Sequence, residues 1–284
     1  MDPSIVKLVK RGTLFIALVV IPILFVDYYV DSYVSFRVTY DEIGRTALGS
    51  NYCVGPDIPI SERRVKWARI DHMDPVEYMI LGSSRSFLFS ADNLGISSFY
   101  NLAVSGGSSV KDYMAEIYIL YQQDKLPDHV LIEVSPSIFN VNSGEYRWAE
   151  WGNSSEYMKE LFDGIDAASD DSYLLGVQIK DLLSPSYFRY NLELFNEGKR
   201  VYYVENPYWD NENLTTFHVD GSLAYSRLFQ TLYDEAEIIS QTTTICEDKR
   251  IYCCSDFEEL DDDLISDFQR LIQFLKQQGV SIAV

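Results

Sequence analysis

The residues with most chemical potential lie in Met79-Ile80-Leu81-Gly82-Ser83-Ser84-Arg85-Ser86, where an apolar run breaks at a glycine and hydroxyls follow. Val76, Tyr78, Met79, Ile80 and Leu81 predict a strand, so Ser84 falls on the turn at its carboxyl end. Open α/β sheets present reactive groups at that end. A serine on a strand-to-helix turn can expose its Oγ beside free backbone N–H groups, the combination that acyl transfer needs. A plain turn has the same composition. A second stretch repeats the arrangement: Ser98-Phe99-Tyr100-Asn101-Leu102-Ala103-Val104 predicts a strand, closed by Ser105-Gly106-Gly107-Ser108-Ser109 before a helical pattern.

Taken together, these blocks resemble the SGNH (GDSL-like) hydrolase superfamily. Gly82-Ser83-Ser84 stands where that family has Gly-Asp-Ser, which makes Ser84 the expected nucleophile and puts Ser83 in place of the acid. Asn101-Leu102-Ala103-Val104-Ser105-Gly106 stands where the family has Asn-x-Gly/Ser-x-x-Gly, so the resemblance implies that the Gly106 N–H helps to form the oxyanion hole. The likeness is nearest to membrane-anchored envelope proteins of the alginate acetylation and teichoic-acid D-alanylation type. It implies a flavodoxin-like, three-layer α/β/α fold with a mostly parallel sheet and no cofactor or metal. The acceptor would be an envelope polysaccharide, or the partner an acyl-carrying membrane protein.

The sequence departs from the family at two places. After His129–Val134 the chain reads Ser135-Pro136-Ser137-Ile138-Phe139-Asn140, so Asn140 is only a loose substitute for the family's third-block asparagine. The family's Asp-x-x-His follows the last core strand, whereas Val280–Val284 reads as that strand with nothing after it, so the unit is expected to be incomplete at its carboxyl end. A serine hydroxyl without a base is a poor nucleophile, so the 284-residue chain is expected to be inactive or impaired as an esterase unless a base is supplied. Of His72, His129 and His218, the loop residue His218 is the candidate for an internal base. Three readings follow, of which the first is an acyl esterase or O-acyltransferase and the second a non-catalytic membrane-tethered binding or scaffold protein. A phosphate cradle at 105–109 is the third, but the loop lacks the P-loop Lys-Ser/Thr.

These blocks need elements to position them. Lys7, Lys10 and Arg11 form a cytoplasmic tail (residues 1–11) ahead of an apolar segment from Gly12 to Val30 that is long enough for a membrane span. No small-x-small cleavage site follows, which favours an uncleaved anchor in the plasma membrane with the domain outside the cytoplasm. Residues 31–73, broken by Gly44, Gly49, Gly55, Pro56 and Pro59, read as stalk and lead-in. Residues 74–284 read as the α/β domain, interrupted at about 141–260 by an aromatic-rich insertion. Within it Trp148 and Trp151, amid polar neighbours, are candidate exposed contacts for sugar rings. Leu264, Ile265, Phe268, Leu271, Ile272 and Leu275 mark one face of the last helix.

Composition sets outer bounds. The chain of 284 residues is 47% hydrophobic, enough for a packed core, and its formal charge of −20 argues against nucleic acid as a partner. Cys246 with Cys253 or Cys254 would form a loop disulfide in an oxidising compartment. Their spacing lacks paired Cys-x-x-Cys, so no metal site is expected.

Overall fold

The structure is a computed structural model that describes residues 3–31, 44–45, 49–54, 61–105, 109–140, 147–151, 175–176, 179–180, 182–198, 204–231 and 260–284. Its centre is a parallel sheet of four short strands, β2 (Tyr78–Leu81), β3 (Phe99–Asn101), β4 (His129–Ile132) and β8 (Ser281–Ala283), in the order β3-β2-β4-β8. Register is set by apolar alternation: Met79 pairs with Tyr100 on one side and Val130 on the other, and Leu81 with Ile132. Met79, Leu81, Tyr100, Leu102, Val130 and Ile132 all face one core.

Two helices cover that face, α4 (Val110–Gln122) and α7 (Asp262–Gln277). α4 starts at a capping box, in which Ser109 Oγ accepts from Asp112 N (3.1 Å) while Asp112 Oδ2 accepts from Ser109 N (2.9 Å). α7 is capped by Asp261, whose Oδ1 accepts from Asp263 N at 2.9 Å, and stops before Gly279 at φ 81°. Leu271 and Leu275 are fully buried under it, as the helical periodicity predicts, each stabilising the fold by about 1.5–3 kcal/mol. Both crossovers into β4 and β8 run toward the same edge, so right-handedness puts both helices on one face. The opposite face carries the 84–90 turn, bonded to Asn101, and Leu131 there remains 37% exposed. The β2-to-β3 crossover runs toward the opposite edge, and its one helix among the described residues, α3 (Ala91–Leu94), is a single turn on that other face.

The stretch read as stalk and lead-in contributes two packed elements. β1 (Tyr52–Val54) joins β5 (Val204–Glu205), β6 (Thr215–Phe217) and β7 (Leu223–Ala224) in a second, antiparallel sheet of order β5-β1-β6-β7. α2 (Glu62–His72), capped by Ser61, buries Arg63, Arg64, Val65, Lys66, Ala68, Arg69 and Ile70. Strands of two or three residues are too short to show alternation, which is why this sheet was illegible in sequence. Its 218–222 turn docks on the free edge of β3: Asn101 N donates to Asp220 O (2.8 Å), and Lys66 Nζ donates to Asn101 O (2.8 Å) and Gly221 O (3.1 Å). Gly221 has φ 78°, and a Cβ there would lie 2.3 Å from Asn101 O, so only glycine permits this approach.

The amino-terminal helix α1 (Ser4–Val30) has a mean hydropathy of 2.3 in its most apolar window and is long enough to cross a membrane. Its hydrogen bonding widens to a π-type ladder over Ile16–Val20, just ahead of Pro22, whose ring clashes with the carbonyl four residues back. The end of α1 packs on α5 (Pro185–Asn196): Asn191 Nδ2 donates to Asp27 Oδ1 at 2.8 Å, and the Tyr187 hydroxyl lies 2.7 Å from Asp31 Oδ1.

Candidate active site

In the strand order β3-β2-β4-β8 the chain leaves β2 for β3 on one side and returns past it to β4 on the other. The carboxyl ends of β2 and β4 thus flank the point where open α/β sheets form their binding crevice. Ser83 and Ser84 follow β2 there, and Glu133 follows β4.

Local sequence explains how the turn folds. Leu81 is fully buried and ends β2, and Ser83 makes one further parallel bridge, to Val104. Ser86 N then donates to Ser83 O at 2.9 Å and reverses the chain. A Cβ at position 82 would lie 2.5 Å from Ser86 Oγ and 3.0 Å from Glu133 Oε2, so Gly82 is what allows the turn to fold back on that carboxylate. Asn101 fixes the turn from the β3 side. Its Nδ2 donates to Ser86 O and Phe89 O, both at 2.8 Å, and its Oδ1 accepts from Ala103 N at 2.9 Å.

Glu133 is the hub. Its Oε2 accepts from Ser83 N (2.9 Å) and from Ser86 Oγ, and its Oε1 accepts from Ser83 Oγ (2.7 Å). Arg85 Nη2 lies 2.8 Å from Oε1, a contact weakened by solvent because the arginine side chain is 51% exposed. Burial pushes the carboxyl up, but the bonds from Ser86 and Ser83 and the Arg85 charge together outweigh it and hold it below the usual range. A carboxylate so held is a structural anchor and a poor proton acceptor. Sequence reading passed over Glu133 as the tail of a strand. The available signal was a charged residue just past an apolar strand of a parallel sheet.

Ser84 differs from its neighbours. Half-buried between two serines that are tied to Glu133, it has no hydrogen-bond partner for either its N–H or its hydroxyl among the described residues. A free hydroxyl beside a free N–H at a strand end is what a nucleophile and one oxyanion donor require.

Gly106 falls outside the described residues, as do Cys246, Cys253 and Cys254. Among the described residues Cys53 is a free, buried thiol, 3.3 Å from Thr216 Oγ1. Asn140 is buried and bridges to Leu260. His218 is not brought to Ser84 as its base: Nε2 lies 2.8 Å from Trp209 O, Nδ1 lies 2.8 Å from Ser222 Oγ, and its ring stacks on Trp209. Trp148 and Trp151 are 2% and 1% exposed, so the expectation of exposed sugar contacts is overturned. Both belong to the main core, and Trp151 Nε1 donates to Asp112 Oδ1 at 3.0 Å. Polar sequence neighbours misled because the 147–150 turn points its indole inward against α4.

No group of three or more potential metal ligands occurs among the described residues. No family model matches the chain, and neither a curated protein nor a solved structure is significantly similar to it.

Proposed function

We propose that this chain is a membrane-anchored acyl esterase or O-acyltransferase of SGNH-like type, with Ser84 as nucleophile and its domain outside the cytoplasm. The observation that supports this reading is the hydroxyl and N–H of Ser84, unpartnered among the described residues, at the switch point of the parallel sheet. Ser84 Oγ would attack the ester carbonyl, with the developing oxyanion accepting from the Ser84 N–H. Collapse would break the bond to the departing alcohol, which takes up the serine proton, and would leave the acyl group on Ser84 for water or a second hydroxyl. On the three-layer reading, the second helical layer would complete the crevice above this turn. The substrate class, a small acyl group on a surface polysaccharide, rests on the resemblance and on the anchor.

The non-catalytic reading has its own support. Glu133 is committed to Ser83 and Ser86, and no described histidine bonds Ser84. Labelling with a fluorophosphonate probe and hydrolysis of p-nitrophenyl acetate distinguish the two. Catalysis through Ser84 requires probe attachment at that residue and a loss on the order of 10³-fold or more in Ser84→Ala. Absence of both labelling and turnover favours the scaffold, and turnover that survives Ser84→Ala removes the nucleophile assignment.

A further inference from the structure

The exit end of α1 is built around two acids. Asp27 and Asp31 are fully buried, although about 20 helical residues cross the hydrocarbon, which carries a span that begins after Arg11 to about position 31. What covers them is α5. Asn191 Nδ2 donates to Asp27 Oδ1, and the Tyr187 hydroxyl lies 3.1 Å from Asp27 O and 2.7 Å from Asp31 Oδ1. A carboxylate at that depth is costly unless polar groups meet it, so the helix that meets Asp27 belongs at the membrane surface.

Helical spacing divides α5 into three stripes. Tyr187, Asn191 and Leu194 are buried, and the first two bond α1. Arg189 and Glu193, 4.0 Å apart, are exposed and form the polar side. Between those stripes run Phe188, Leu192 and Phe195, at the spacing of one helix face. Leu192 and Phe195 remain 39% and 43% exposed, and Leu183, just ahead of α5, 69%. This apolar stripe continues the surface of α1. Phe195 meets Tyr29 edge-on at 6.2 Å between centroids, and Tyr29 stacks on Phe25 at 5.9 Å.

We propose that α5 is a second membrane-contact element, an amphipathic helix lying in the bilayer interface beside α1, with Leu192 and Phe195 at the boundary between headgroups and acyl chains. Its occupant follows from continuity: lipid that surrounds Phe25 and Tyr29 also reaches Phe195, because the three rings are adjacent. An exposed apolar patch that extends a span in this way marks membrane contact. The contact is with acyl chains rather than headgroup charge. Glu193 and Glu197 stand beside Arg189 on the polar side and the chain carries −20, so anionic lipid offers no attraction. The proposal rests on the reading of α1 as a membrane span and not on the role of Ser84.

The test uses the full chain in phosphatidylcholine liposomes. Phe195→Trp, Leu192→Trp, Glu193→Trp and Leu18→Trp are compared after subtracting the emission of the four native tryptophans. Lipids brominated near the headgroup or near the chain terminus report depth. Phe195→Trp and Leu192→Trp should be quenched more by the shallow bromines than by the deep ones, at low and high salt alike. Leu18→Trp should show the reverse order, and Glu193→Trp should be quenched by aqueous acrylamide only. If Leu18→Trp is quenched by lipid but Phe195→Trp and Leu192→Trp no more than Glu193→Trp, the proposal is overturned and the anchor stands. Loss of lipid quenching in Leu18→Trp as well overturns both. Protection of Phe195→Trp and Leu192→Trp from lipid and acrylamide alike also overturns the proposal, since a protein surface such as a second copy of this chain then covers the face. Leu192→Trp decides the matter if Phe195→Trp fails to fold.

Discussion

Arg63→Met is the most informative single perturbation of this fold, because one buried carboxylate depends on that guanidinium. Arg63 Nε lies 2.7 Å and Nη2 3.1 Å from the two oxygens of Asp112, and both side chains are buried. Asp112 also accepts from Ser109 and from Trp151 Nε1, while Arg63 Nη1 reaches Ser105 O at 3.3 Å. The pair thus joins α2, the start of α4, the 147–151 turn and the loop that follows β3. Burial alone pushes the Asp112 carboxyl up, but the Arg63 charge and the hydrogen bonds together hold it below its usual value. Methionine preserves the stem's packing and removes the charge. Stranding a buried charge in this way costs about 3–5 kcal/mol. The lower end applies here, since the Ser109 and Trp151 donors remain. At roughly 2–4 °C per kcal/mol for a domain of this size, the melting temperature should fall by about 6–12 °C. Trp151 emission reports the event locally. Asp112→Asn should cost a similar amount, and the double variant less than the sum, by on the order of 1 kcal/mol or more. Since the folded carboxyl lies below its unfolded value near 3.9, this stabilisation is present above that pH and disappears as pH falls through the folded value. The Arg63→Met deficit should therefore shrink in acid. A melting temperature within about 1 °C of wild type, or strict additivity in the double variant, refutes the reasoning.

Two further outcomes follow from buried groups and close approaches. Gly221→Ala should destabilise the protein by at least 1–3 kcal/mol, the usual penalty for a non-glycine residue in the left-handed region, because its new Cβ also meets Asn101 O; denaturant titration measures it, and a loss under about 0.5 kcal/mol would show that the 218–222 turn is not pressed on β3. Glu116 is fully buried with neither carboxylate oxygen bonded among the described residues, and burial first, then the Asp112 charge, push it well above its ordinary value of 4.5. A raised acid gives stability that is fully present below about 4.5 and lost as pH rises toward the folded value. Glu116→Gln should thus gain on the order of 1 kcal/mol at pH 7 relative to pH 5, and parallel wild-type and variant stability curves between those pH values would contradict it.

The sequence by itself determined the elements whose signals are local. Apolar runs ending in Gly82 and after Asn101, the helical face from Leu264 to Leu275, and the apolar segment before Val30 are each readable because strand and helix periodicities and breakers act within a few residues. The same locality put Ser84 at a strand end. Only the tertiary structure decided which groups meet there. Glu133 lies 50 positions from Ser83 in the chain, and parallel pairing of β2 with β4 alone makes it the partner of Ser83 and Ser86. Burial reversed the reading of Trp148 and Trp151, because a polar neighbour in sequence says nothing of which way a 3₁₀ turn faces. His218 was drawn into the antiparallel sheet, and Lys66 and Arg69, indistinguishable as cations on one helix, were sorted by the carbonyls each could reach. Hydrogen-bond partners and burial are properties of chain crossings, and one-dimensional spacing does not encode them.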